Sequence, residues 1–96
     1  MAHEGYHEPV DRLSPATLDF HRAVESLIEE LEAIDWYSQR VDACTDPELK
    51  AILAHNRDEE MEHAAMTLEW IRRHSLRFDK ELRDALFKEG PITDHQ

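Results

Sequence analysis

Between Pro15 and Ala43, and again from Pro47 to about His74, nothing in the sequence breaks a helix. The first run alone is about 29 residues, or about 43 Å of α-helix. A helix that long is seldom stable by itself and needs a partner along its length. Only Cys44-Thr45-Asp46-Pro47-Glu48 separates the two runs. Asp46 there reads as the N-cap and Pro47 as the first helical residue. So short a connection forces the helices to be antiparallel neighbours. Two glycines in 96 residues fit a chain with few turns.

The remaining boundaries follow from capping chemistry. Ser14-Pro15 starts the first helix. Phe20, Val24, Leu27, Leu31, Ile34 and Val41 then follow a four-three alternation, with Ser38 as a polar interruption. Arg72, Arg73 and His74 suit the negative end of the second helix. A break is expected around Ser75 to Phe78. Asp79 then caps a short third helix running to Glu89, with Phe78, Leu82, Ala85 and Leu86 as its apolar side. Gly90-Pro91 stops it. The expected organisation is a flexible arm over 1–12, a helical domain over 13–90 and a tail over 91–96. His3 and His7 belong to the solvated arm. The fold class is all-α: an antiparallel two-helix hairpin plus a short C-terminal helix.

Composition narrows the function. Ninety-six residues allow one small domain with a marginal core if the chain stays alone. The formal net charge of −11 argues against nucleic acid and anionic membrane surfaces and favours cations. The same charge opposes self-association, so any oligomer must overcome repulsion locally. A single cysteine, Cys44, rules out an intramolecular disulfide. No signal peptide and no span of roughly 20 apolar residues is visible, so the expectation is a soluble, cytoplasmic protein.

The second helix carries an anomaly. Its apolar stripe, stepped by four and three, reads Leu49, Leu53, Asn56, Glu60, His63, Thr67, Trp70. The stripe turns polar in its middle. Glu60 and His63, three apart, stack on one face. A buried ionised Glu costs several kcal/mol, on the order of a lost ion pair, unless something neutralises it. A metal ion neutralises a Glu beside a His economically. On the first helix, Glu30 falls inside the apolar arc, between Ala23 and Tyr37. Glu25, Glu29, Glu32 and Trp36 fall on the far side as an acidic stripe. Glu30 lies as far before Thr45 as Glu60 lies after it, which places Glu30, Glu60 and His63 in one layer of a hairpin.

These residues are half of a known set. Carboxylate-bridged di-iron sites in four-helix bundles take one Glu from each of two helices and a Glu-x-x-His from each of the other two. Two copies of this chain about a two-fold axis supply the whole set and close a four-helix bundle. Four carboxylates then balance two ferrous ions in charge. Oxygen and imidazole donors suit iron or manganese better than a structural zinc. The expected chemistry is reduction of O₂ by two Fe(II) roughly 3.5–4 Å apart. Tyr37, one heptad from Glu30, is a candidate hydrogen-bond or one-electron donor. Two blander readings stand beside this one. The chain could be a metal-stabilised helical oligomer that binds divalent cations without turnover. It could also be a coiled-coil oligomer that uses Glu30 and Glu60 for register, with Arg57 as an ion-pair partner. Inward histidines are too few for a haemerythrin-like O₂ carrier.

Two blocks, Glu29-Glu30-Leu31-Glu32-Ala33-Ile34-Asp35-Trp36-Tyr37 and Ile52 to Trp70 around Asn56-Arg57-Asp58-Glu59-Glu60, resemble the encapsulated ferritin family. The resemblance runs from about His21 to Thr93. It implies a ferroxidase that oxidises Fe(II) inside an encapsulin nanocompartment, where the encapsulin shell stores the mineral. It also implies a ring-shaped homodecamer, a pentamer of dimers, with two iron ions at each dimer interface. Glu30, Glu60 and His63 match the di-iron ligands, Glu60 bridging and Glu30 terminal. Glu29 and Glu32, with Trp36 nearby, match a second site for calcium or another divalent cation that feeds iron inward. Members of the family carry a Gly/Ser-rich linker and a short apolar targeting peptide, and no such segment occurs up to Gln96. His55 falls off the seam and reads as a surface residue.

Overall fold

The computed structural model describes residues 5–94. His3 and Glu4 of the arm and the last two residues of the tail lie outside the described residues. The Ser14 hydroxyl accepts the Thr17 amide at 3.1 Å, and Pro15 follows in the first turn. Helix α1 then runs Pro15–Ala43, as the sequence predicts. Asp46 accepts the Leu49 amide at 2.8 Å and starts α2, Pro47–Arg73. The two helices lie against each other as an antiparallel hairpin, and α3, Leu76–Ala85, packs on α2. Before α1, Val10–Arg12 makes a single 3-10 turn. The Tyr6 ring sits 4.7 Å, centre to centre, from that of His21 on α1. No strand occurs among the described residues, so the all-α hairpin with a short C-terminal helix is the fold. No helix of the described chain is long and apolar enough to cross a membrane.

The third helix departs from expectation at both ends. Ser75, not Asp79, is its N-cap, accepting the Phe78 amide at 3.1 Å. The break is therefore only His74-Ser75, closed by a His74 amide bond to Ile71 O at 3.1 Å. A serine side chain that reaches the third helical amide needs no longer loop. The helix also ends early, at Ala85 rather than Glu89. Phe87 takes a left-handed φ of 58°, which a right-handed helix cannot contain. That turn leaves the Phe87 side chain in solvent.

Two helices side by side enclose little. Among the described residues only Ala64 and Ile71 are buried apolar side chains. Leu31, which lies on the predicted apolar stripe of α1, is 53% exposed, and Ile52, Met61 and Met66 are comparably open. The chain presents 7692 Å² to solvent. A folded monomer of this mass exposes about 5,700 Å². The radius of gyration is 17.0 Å. A chain of this length packed as one globule has about 12.5 Å. About 2,000 Å² of surface is thus exposed beyond what a self-sufficient fold leaves open.

Ionic contacts hold α3. Arg72 donates to Glu69 at 2.8 and 2.6 Å and reaches across to Asp79. Arg83 donates to the same Asp79 at 2.9 Å. Hydrogen bonds from Arg72, then Arg73, bring the Glu69 carboxyl down from 4.5 to about 2. Arg72, then Arg83, lowers Asp79 from its ordinary 3.8. Carboxyls depressed in the folded state contribute stability above their unfolded pKa values and lose it as pH falls through the folded ones. The clasp is therefore complete above about pH 4.5 and fails progressively toward about pH 2. Amide hydrogen exchange across pH 5 to 2, corrected for intrinsic rates, is expected to show α3 losing protection before the centres of α1 and α2. Loss of protection in all three helices together would contradict it.

Candidate metal centre

Helix α1 brings Glu30 to the seam and α2 brings Glu60 and His63. Glu30 is half-buried, and its Oε1 is buried without a hydrogen-bond partner. Its Oε2 accepts from the Thr67 hydroxyl at 3.3 Å, across the hairpin. Glu60 Oε1 lies 3.4 Å from His63 Nδ1. Their side chains are 28% and 47% exposed, so this end of the set opens to solvent in a lone chain.

The equal spacing from Thr45 puts Glu30 level with Glu60, yet the contact that Glu30 makes is with Thr67. Thr67 stands seven residues beyond Glu60, about 10.5 Å along the axis. The tilt of the Cα–Cβ bond favours this pairing. Side chains lean toward the N-terminus of their own helix. In an antiparallel pair, Glu30 therefore leans toward the C-terminal half of α2, while Glu60 leans toward the turn. Among the described residues, no three His, Cys, Asp or Glu side chains of one chain come together to hold a metal ion. One chain displays the three donors without closing a site around them.

The surrounding groups sort the competing explanations. Arg57 donates to its neighbour Asp58 at 3.1 Å. The contact seen for Glu60 is with His63, not with a neighbouring cation. His55 pairs with Glu59 at 3.5 Å on the exposed face, in keeping with a surface histidine. Tyr37 is half-buried, with the Arg40 guanidinium 5.4 Å from its ring centre. Glu29 is exposed, Glu32 half-buried and Trp36 52% exposed. Thr67 carries no metal-ligating side chain and so no sign of a role in the sequence. It stood in the polar stretch of the stripe, one turn after His63, and its neighbour across the hairpin was not legible.

The model of the EncFtn-like family matches residues 5–89. The chain belongs to the EncFtn-like family. This EncFtn-like chain is 66% identical over 87 residues to the encapsulated ferritin-like protein of Rhodospirillum rubrum. The match covers 91% of the chain and 62% of that longer protein. It is 55% identical to a ferritin-like protein of Thermotoga maritima, over 93% of the chain and 78% of the relative. An encapsulin nanocompartment cargo protein of Myxococcus xanthus is 42% identical over 92% of the chain and 68% of its own length. The fold matches a crystal structure of a protein from Nitrosomonas europaea with a TM-score of 0.90. That protein is 66% identical, and the match covers 95% of the EncFtn-like chain and all of its counterpart.

Glu30 Oε1 predicts a cost in the metal-free protein. A buried acceptor left without a partner costs about 1–3 kcal/mol. Replacing a strained polar group by an apolar one of similar volume is often stabilising. Glu30→Leu is expected to raise the urea midpoint of metal-free protein by an amount equivalent to about 1 kcal/mol. A lower midpoint would show that Glu30 is a structural asset rather than a group awaiting a cation.

Proposed function

We propose that the chain is a ferroxidase that oxidises Fe(II) to Fe(III) with O₂ at a di-iron site shared by two copies, serving iron storage inside an encapsulin shell. The observation that carries this reading is Glu30 Oε1, buried at the hairpin seam without a hydrogen-bond partner. The donor set fits the cation. Glu30 and Glu60 offer hard oxygen atoms and His63 a borderline nitrogen, a combination that suits iron. Family membership and the cargo name of the Myxococcus xanthus relative support the encapsulin setting.

In this reading the two-fold axis brings Glu30, Glu60 and His63 of each copy together in a four-helix bundle. Glu60 bridges and Glu30 is terminal. The exposed area beyond a self-sufficient fold becomes the seam between copies, and five such dimers form a ring. Four carboxylates repel one another until two ferrous ions neutralise them, so iron substrate assists assembly against the chain's net charge of −11. Each Fe(II) gives up one electron, and the pair reduces O₂ by two electrons, with two protons from water, to hydrogen peroxide. Oxidation adds two positive charges to the balanced site, which oxide or hydroxide from water and ion release relieve. Glu29 and Glu32, near Trp36, form an outer cation site that passes iron inward. Tyr37, beneath Arg40, stands ready as a hydrogen-bond or one-electron donor. The working location is the cytoplasm, within the encapsulin compartment.

Adding Fe(II) to aerobic protein is expected to produce the near-ultraviolet ferric-oxo absorbance faster than buffer alone. Glu60→Ala is expected to slow it at least tenfold. Iron retained without accelerated oxidation would leave only a cation-binding helical oligomer. In anaerobic gel filtration, Fe(II) is expected to shift the chain to a larger species and a chelator to reverse it. An elution volume indifferent to both would remove metal-assisted assembly.

A further inference from the structure

The Thr67 hydroxyl has one hydrogen and two acceptors within reach. His63 O is 3.0 Å away, and Glu30 Oε2 is 3.3 Å away. Mid-helix threonines commonly bond the carbonyl four residues back. That carbonyl is also the regular partner of the Thr67 amide in the helical ladder, so it does not depend on the hydroxyl. The carboxylate does depend on it. Oε1 is buried without a partner, and Oε2 accepts from the Thr67 hydroxyl across the hairpin. A hydrogen bond to a charged acceptor is also the stronger of the two.

We propose that Thr67 is a positioning residue for the cation site, its hydroxyl holding Glu30 by Oε2 so that Oε1 is the oxygen presented to the metal. This rests on the reading of Glu30, Glu60 and His63 as ligands. Two features of the hairpin make the role specific. Glu30 leans away from the turn, toward the stretch of α2 that carries Thr67. The β-branched side chain of Thr67 has restricted χ1 freedom in a helix, and its hydroxyl lies 3.0 Å from His63 O, the alternative acceptor on the backbone of a ligand. The hydroxyl therefore links the terminal carboxylate on α1 to the imidazole-bearing turn of α2. When Glu30 moves, the hydroxyl can return fully to His63 O, so no donor is stranded.

The test uses Co(II) as probe, on protein freed of iron, with each variant brought to the same oligomeric mass. Thr67→Val keeps the shape and removes the hydroxyl, and Thr67→Ser restores it. Thr67→Ala, a better helix former, serves if the valine variant folds poorly. Removing a hydrogen bond that orients a metal ligand typically weakens metal binding about tenfold to hundredfold. Thr67→Val and Thr67→Ala are expected to lose about that much Co(II) affinity and to change the intensity of the visible Co(II) bands. Thr67→Ser is expected to recover both. Wild-type affinity and spectrum in the valine and alanine variants, with Glu60→Ala unable to bind, would overturn the role of Thr67 alone. A serine variant as weak as the valine variant would overturn it too. Wild-type protein that takes up no Co(II) would overturn this role and the ligand reading together.

Discussion

The hairpin seam governs this molecule. Two antiparallel helices have one shared face and no interior, so any polar group placed on that face is only partly sheltered and must be partnered. The chain puts its most demanding group there. Glu30 has one oxygen held across the seam by Thr67 and the other buried with no partner. An ordinary core position would not tolerate such a carboxylate. In the proposed site, a cation shared with a second copy supplies the missing partner.

The thinness of the core points the same way. With Ala64 and Ile71 as the buried apolar side chains among the described residues, the hairpin has more open surface than a self-sufficient domain. Stability and function are then two aspects of one requirement. The surface that must be covered and the ligands that must be completed lie on the same helices. A net charge of −11 opposes that covering, and cations relieve the opposition. Relatives named as encapsulated ferritin-like, ferritin-like or encapsulin cargo proteins match more than nine-tenths of this chain.

Helix α3 is held differently. Arg72 and Arg83 converge on Asp79, and Arg72 also grips Glu69. These are partly exposed ion pairs, each of modest strength, whose value lies in fixing direction. Of these, Arg72 to Asp79 is the pair that joins α2 to α3. The clasp depends on ionised carboxylates, whereas the α1–α2 seam depends on packing.

Capping chemistry and periodicity made α1 and α2 legible before any coordinates, because Ser14, Pro15, Asp46 and Pro47 act locally. The polar break in the α2 stripe likewise marked Glu60 and His63, and a helical wheel turned Glu30 inward. The ends of α3 were misread. Asp79 looked like a cap but serves as an ion-pair acceptor, Ser75 caps instead, and the left-handed turn at Phe87 has no side-chain signature. Register across the hairpin was also beyond a count of residues. Counting levels the Cα positions of Glu30 and Glu60, while the opposite lean of side chains on antiparallel helices decides what each carboxylate touches. The sequence by itself determined the extent of α1 and α2 and turned Glu30 inward, since caps act locally and the helical period is fixed. It did not determine which stripe residues the hairpin covers: Leu31 and Leu49 stand open. Only the tertiary structure decided that Glu30 meets Thr67, because that contact depends on how two helices slide and lean against each other.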